Sequence, residues 1–314
     1  MTTHQLIYLV FTLALIIALS FDLGLLSKKS KKVSIAKAIW QTAFWVTLAI
    51  AFFIFLLIEE GHKTGLEYLS AYLMEWSLSI DNIFVFILIF NAFKVKEHFY
   101  GRVLLVGILM AIILRIGFIT IGVELVETFH WILYLFGAFL VYTGFKMFTE
   151  KEEKEFNPQQ NKVYKFLQKF LPLSPTDGNG KYIIRVNKKP QYTILFVVVV
   201  MLSTVDIVFA LDSIPAVMGI SQDKLVIYTS NIFAVLGLRS LFFLLKGAVH
   251  KFKFLQQGIS IVLIFIGIKM LGEYFISSIL SKNIQVILSL IIIVLCIGGS
   301  IVYSIWHSKK TSIR

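Results

Sequence analysis

The sequence predicts an all-α polytopic membrane protein with about nine transmembrane helices, and three observations carry that prediction. Of 314 residues, 58% are hydrophobic and only 15% charged, whereas soluble chains carry roughly 45–50% apolar and about 25% charged residues. The apolar residues collect into nine runs, near 6–26, 38–58, 66–90, 102–123, 130–148, 192–218, 225–245, 254–275 and 284–306, each about the length that a bilayer demands. With the N-terminus outside, 24 of the 30 Lys and Arg residues fall in the cytoplasmic segments 28–37, 94–102, 146–189, 246–253 and 309–314. Lys63, Lys224 and Lys282 remain outside, and Arg115, Arg239 and Lys269 lie within runs. This asymmetry puts the C-terminus in the cytoplasm. The net charge of +12 is therefore an orientation signal, and no nucleic-acid partner is expected.

Residues 1–65 form an N-terminal two-helix region. Nothing before Lys28 is basic, and Lys28, Lys29, Lys31 and Lys32 follow the first run, so it reads as a retained helix and not a cleaved signal. Residues 66–149 hold the next three runs and 192–276 three more. Between them, 150–191 is one long cytoplasmic loop. It contains the charged stretch Lys151–Glu155, an amphipathic run through Val163, Phe166, Leu167 and Phe170, and a stretch from Tyr182 to Lys189 suited to a small hairpin. It reads as a solvated linker with an interfacial helix. Residues 277–314 are a last helix and a basic tail.

The two three-run units resemble each other. Glu75, Ser79, Asp81 and Asn82 match Asp206, Ala210, Asp212 and Ser213 at the same spacing. Farther on, Leu114-Arg115 matches Leu238-Arg239, and Gly144, Lys146 and Met147 match Gly267, Lys269 and Met270. An odd number of spans per unit makes the second copy enter from the opposite face, so the units (third to fifth and sixth to eighth spans) form an inverted repeat. In transporters that construction places the substrate site near the midplane.

Four carboxylates, Glu75, Asp81, Asp206 and Asp212, lie in the middle of apolar runs. A central carboxylate costs about 2.5–3.5 kcal/mol even on the lenient insertion scale, so four are not incidental to a domain stabilised by roughly 5–15 kcal/mol. Arg115 and Arg239 balance two of the charges. The remaining −2 matches one divalent cation, or two protons in its absence. The donors are all oxygen: the four carboxylates with Asn82, Ser79 and Ser213, while the six His sit at the chain start or near span ends. Such a set favours Mg²⁺, Ca²⁺ or Mn²⁺ over Zn²⁺ and Cu⁺. Met74, Met201 and Met218 flank the motifs and read as packing residues.

On a straight helix Glu75, Ser79 and Asn82 share a face, with Asp81 about 120° from Glu75. A helix break would bring both carboxylates to one ion, and Pro215 offers one in the second copy, because it cannot donate to the Leu211 carbonyl. Phe84 stands at the matching place in the first. Asp22 reads as a solvated helix-end carboxylate, Glu124 and Glu127 as outer loop, Lys269 and Glu273 as a helix-end pair, and Cys296 as a lipid-facing or packed thiol. A lone cysteine excludes an intrachain disulfide.

These motifs, together with Phe136-Gly137-Ala138-Phe139-Leu140, Tyr142-Thr143-Gly144 and Phe209-Ala210-Leu211-Asp212-Ser213-Ile214-Pro215-Ala216, resemble the TerC/Alx family of integral membrane proteins from about Asp22 to Met270. The long loop resembles the Alx branch. That resemblance implies export of Mn²⁺ across the bacterial inner membrane, with Glu75, Asp81, Asp206 and Asp212 as the metal path. The expectation is a secondary transporter, not an enzyme, with no prosthetic group. Its partners are the bilayer and a divalent cation, exchanged against protons. Export of Ca²⁺ or a cationic amino acid, or a scaffold role, are the competing readings. Paired aspartates could also serve an intramembrane hydrolase, but no Gly-x-Gly-Asp, His-Glu-x-x-His or Gly-x-Ser-x-Gly occurs.

Overall fold

The computed structural model describes residues 3–26, 34–149, 161–186, 188–246 and 254–311. The basic stretch Lys28–Lys32, the charged run Lys151–Glu155, Lys251, Lys253 and Arg314 lie outside these, as do the side chains of Asp22, Asp81 and Phe84.

All nine apolar runs fall on helices: α1 (Thr3–Leu26), α2 (Ile35–Glu59), α3 (His62–Ala92), α4 (Glu97–Thr128), α5 (Ile132–Thr149), then, after a short α6 (Lys162–Phe170), α7 (Ile194–Ile220), α8 (Lys224–Leu245) and α9 (Leu255–Leu271), a short α10 (Glu273–Ile279), and α11 (Lys282–Thr311). Among the described residues seven of them, α2, α3, α4, α5, α7, α8 and α11, are long and apolar enough to cross a bilayer, while α9 and the stretch Leu6–Ile17 of α1 are shorter apolar segments. The eighth run was expected to continue to 275. It stops at Gly272, whose N–H bonds the Ile268 carbonyl, and α10 starts afresh at Glu273.

Local chemistry sets several of these starts. Ser34 caps α2 by accepting from the Lys37 N–H at 3.3 Å, Asn161 caps α6 through the Val163 and Tyr164 N–H groups, and Asp223 caps α8 through Leu225 N–H at 2.8 Å. Each side-chain oxygen satisfies a donor that the helix leaves open.

Helices adjacent in sequence are not the main neighbours. α5 lies along α9, α3 against α8 and α7, and α4 against α7 and α8, while α4 touches α5, and α7 touches α8, only slightly. α8 is thus nearly sheathed by α2, α3 and α4, and almost every residue from Leu225 to Leu245 is buried. α1 and α2 close one side through Phe11, Phe52 and Phe233, whose rings meet at 5.2–5.6 Å.

The α5–α9 crossing depends on small residues. A Cβ on Gly267 would stand 2.6 Å from the Gly137 carbonyl oxygen, and one on Gly144 would stand 2.9 Å from the Ser260 carbonyl oxygen. Backbone therefore packs on backbone, the close approach that small residues permit between membrane helices.

The loop folds as a cap over the ends of α3, α4 and α7. Strands β1 (Ile183–Val186) and β2 (Lys189–Tyr192) form the anticipated antiparallel hairpin, pairing Ile183 with Tyr192 and Val186 with Lys189. It takes Tyr192, assigned from sequence to the sixth apolar run, out of α7. Tyr182 Oη donates to the Arg102 carbonyl at 3.2 Å, and Lys96 Nζ meets Asp177 at 2.6 Å. The intervening turn holds Asn179 at φ 50° and Gly180 at φ 85°. A Cβ on Gly180 would come within 2.8 Å of the Phe99 ring, so this residue fits the cap to α4.

Candidate functional site: a buried arginine between two carboxylates

α3, α4, α7 and α8 converge on Arg115. Its side chain is 2% exposed and makes hydrogen bonds to all three neighbouring helices. Nε donates to Asp206 Oδ2 at 3.3 Å and Nη2 to Asp206 Oδ1 at 3.0 Å, a two-pronged contact. Nη1 donates to Glu75, to Asn231 Oδ1 at 3.0 Å and, at 3.5 Å, to Ser213 Oγ. Glu75, Asp206 and Ser213 are each 1% exposed, and Asn231 is wholly buried. Only a guanidinium fits this arrangement, because its planar fork reaches acceptors on three sides.

Two polar atoms in the cluster lack a hydrogen-bond partner: Glu75 Oε2 and, one turn on, Ser79 Oγ. Both belong to buried residues on one face of α3, and Asn82 follows on that face, also buried. Buried polar atoms are ordinarily satisfied. Glu75 Oε2, on the carboxylate that Arg115 holds, and Ser79 Oγ one turn along are the open oxygens of this face of α3.

Asp212 does not join Glu75 and Asp206, and the side chain of Asp81 lies outside the described residues. Glu75 and Asp206, which the sequence spacing matches to each other, share Arg115. Asp212 is half-buried on another face of α7 and accepts from Thr143 Oγ1 of α5 at 3.3 Å. The expected helix breaks are absent: α3 runs unbroken past Asp81, and α7 runs through Pro215. Six residues of unbroken helix turn Asp206 and Asp212 about 120° apart, which sends one to α4 and the other to α5. Among the described residues no three His, Cys, Asp or Glu side chains come together as a metal cluster. Arg239 is 5% exposed in α8 and has an interaction of its own. Of the expected site residues, Glu75, Asp206, Ser213 and Arg115 are brought into contact.

Asn231 was not anticipated. Its Nδ2 donates to the Ile227 carbonyl at 2.9 Å, which turns its Oδ1 toward Arg115. The signal was present as a polar triplet, Thr229-Ser230-Asn231, in an apolar run. Thr229 and Ser230 return their hydroxyls to the Leu225 and Val226 carbonyls, so only the third member reaches the site.

Toward the loop end, Asp206 borders a crevice too narrow for water, walled by Phe86, Leu104, Gly107, Leu202 and Leu238. At the other end of the bundle lies a polar cavity of about 190 Å³, lined by Glu67, Ser221, Asp223, Lys269, Glu273 and Gln285 among others. Lys269 reaches across it to the Gly219 carbonyl at 3.2 Å and Ser289 Oγ at 3.1 Å. Glu67, two turns before Glu75 on α3, accepts from Ser221 Oγ. The cluster therefore stands between a narrow apolar crevice and a polar cavity.

Comparison with known proteins agrees with the motifs. The chain is 38% identical over 302 residues to the uncharacterised membrane protein STKORF319 of Myxococcus xanthus, covering 96% of this chain and 92% of that one. It is 37% identical over 270 residues to a membrane protein of Rickettsia bellii, covering 86% and 89% of the two chains. To Alx of Escherichia coli K12, which bears the provisional name of a membrane-bound redox modulator, it is 35% identical over 310 residues, 96% of this chain and 95% of Alx. No solved structure matches. The profile of the integral membrane protein TerC family matches residues 60–312. This multi-pass membrane chain belongs to the integral membrane protein TerC family.

Proposed function

We propose that the protein is a secondary transporter that moves a divalent cation, Mn²⁺ first among them, out of the cytoplasm across the inner membrane. The observation that carries this reading is the pair of open, buried oxygens, Glu75 Oε2 on the carboxylate that Arg115 holds and Ser79 Oγ one turn along α3. A hard divalent cation is a natural occupant of unpaired buried oxygens. Asp206, and then Asn82 and Ser213, are the neighbouring oxygens that it would recruit. Asp212, held by Thr143 on another face of α7, would serve as a later station on the path, and Asp81 belongs to the same acidic path.

Arg115 supplies the switch in this mechanism. While it holds Glu75 and Asp206 the charges are balanced, and a dication entering between them competes for both carboxylates. Asn231, whose Oδ1 already accepts from Arg115 Nη1 and whose Nδ2 is held by the Ile227 carbonyl, would then retain the guanidinium. The −2 left by Glu75, Asp81, Asp206 and Asp212 against Arg115 and Arg239 gives each cycle room for one dication outward or two protons inward. Alternating access through an inverted repeat is supported by the α5–α9 crossing: Gly144 and Gly267 are repeat equivalents, and each presses on a carbonyl of the other helix. With the loop taken as cytoplasmic, the crevice faces inward and the cavity outward, an arrangement suited to release. No prosthetic group or catalytic step enters the scheme.

The name borne by Alx offers a redox reading. Cys296 is the chain's single cysteine, so that role could not run through an intrachain dithiol.

The deciding experiment loads everted vesicles with wild-type protein or Glu75→Gln and follows uptake of Mn²⁺, Ca²⁺ and arginine, with and without a pH gradient. Uptake of Mn²⁺ that Glu75→Gln abolishes supports the reading. Equal Mn²⁺ uptake in empty, mutant and wild-type vesicles sinks it, and uptake unchanged on collapsing the gradient removes the proton exchange.

A further inference from the structure

We propose that α6 is an anchor for acidic phospholipid, which holds the loop cap on the leaflet beneath it. The helix presents three stripes. Val163, Tyr164 and Leu167 face the bundle: Leu167 is buried, and the Tyr164 ring meets Phe93, just past the end of α3, at 5.5 Å. This contact holds α6 at the depth where α3 ends, because Phe93 directly follows the last residue of α3.

Beside the packed stripe, at about 300–340° around the helix from Val163, stand Phe166 and Phe170. They are 59% and 62% exposed, and their rings meet at 4.6 Å, tilted 45° to each other. Beyond them, at about 200–260°, come Lys162, Lys165 and Lys169, all exposed. Lys169 Nζ lies 5.7 Å over the Phe170 ring. An aromatic edge between a packed face and a basic face is the order that an interfacial helix requires: rings toward the acyl boundary, ammonium groups among the headgroups.

Charge selects the lipid. α6 carries three lysines and no acid, and the hairpin adjoining it exposes Arg185, Lys188 and Lys189. A zwitterionic headgroup offers such a surface no net attraction, whereas an acidic one does. The inference does not depend on what the protein transports.

The test uses the full chain with Cys296→Ser, reconstituted in nanodiscs of phosphatidylcholine with or without phosphatidylglycerol. An environment-sensitive thiol label is placed at Phe170→Cys or, on the solvent side, at Gln168→Cys. Shallow spin-labelled lipid is expected to quench the label at 170 and not at 168, only with phosphatidylglycerol present, and less after Lys162, Lys165 and Lys169 are changed to Gln. Equal quenching at both positions, or quenching indifferent to phosphatidylglycerol or to the lysines, overturns the proposal. A label at 170 that stays in water in acidic nanodiscs also overturns it and would leave a protein as the occupant. As a check free of label, the phosphatidylglycerol-over-phosphatidylcholine ratio retained by the unlabelled protein in native mass spectra is expected to fall by roughly fivefold per lysine removed. An unchanged ratio refutes the anchor.

Discussion

Replacing Arg115 by methionine tests whether the cluster is an ionic lock. The change removes the partner of two carboxylates that are each 1% exposed, together with the donors to Asn231 and Ser213. Methionine fills much of the same volume, so the loss is electrostatic and not a cavity effect. Breaking a buried pair by deleting one member costs about 3–5 kcal/mol. At roughly 2–4 °C per kcal/mol for a chain of this size, the apparent melting temperature should fall by about 10 °C. Arg115→Lys should recover little, because a single ammonium cannot hold both oxygens of Asp206 and reach Glu75 as well. Neutralising the carboxylates together, as Arg115→Met with Glu75→Gln and Asp206→Asn, should restore most of the loss, since an uncharged buried set needs no counter-ion. Melting is followed by fluorescence-detected size exclusion of heated, detergent-solubilised protein. If Arg115→Met melts within about 2 °C of wild type, or the triple variant is no better than the single, the lock argument is wrong.

Three further predictions rest on separate contacts. Asn231→Leu removes an acceptor from a charged donor and should cost about 1.5–3 kcal/mol, read by the same melting assay, whereas Thr229→Val and Ser230→Ala, whose hydroxyls only return to their own helix, should change it far less. Gly267→Ala places a Cβ 2.6 Å from a backbone oxygen that cannot rotate away; the enforced separation of α5 and α9 should cost about 1–3 kcal/mol, and melting indistinguishable from wild type would disprove that close crossing. The Asp177 carboxyl is held below its usual value of 3.8, first by the hydrogen bond from Lys96 and then by the Asn179 N–H. A depressed carboxyl stabilises the folded form above its ordinary value and loses that contribution as pH falls through the lowered one. Hydrogen-exchange protection of residues 178–182, corrected for intrinsic rates, should therefore hold from pH 7 to 5 and weaken below about pH 4, by no more than about 1 kcal/mol for so exposed a pair. In Lys96→Met this step should shrink, and an unchanged step would remove Lys96 as its cause.

What was legible in the sequence follows from what one helix can know about itself. Each apolar run fell on a helix, seven of them long and apolar enough to cross a bilayer among the described residues, because a span's length and hydropathy are set by the bilayer and not by its neighbours. Alternation and turn chemistry located the loop hairpin, and the acid spacing singled out Glu75, Asp81, Asp206 and Asp212 as one set, without showing that Glu75 and Asp206 share a partner that Asp212 lacks. The boundary at Gly272 was missed, since hydropathy there continues through the break.

By itself, then, the sequence determined the class of the molecule, its helices and the set of buried charges that require partners, because each of these is a property of a residue and its near neighbours in the chain. Only the tertiary structure decided who the partners are. Unbroken helices rotate Asp206 toward α4 and Asp212 toward α5. Packing between helices distant in sequence brings Asn231 of α8 onto Arg115 of α4. A six-residue spacing does not reveal which neighbour stands on either side of a helix, and that neighbour separates a carboxylate held by a guanidinium from one held by a threonine.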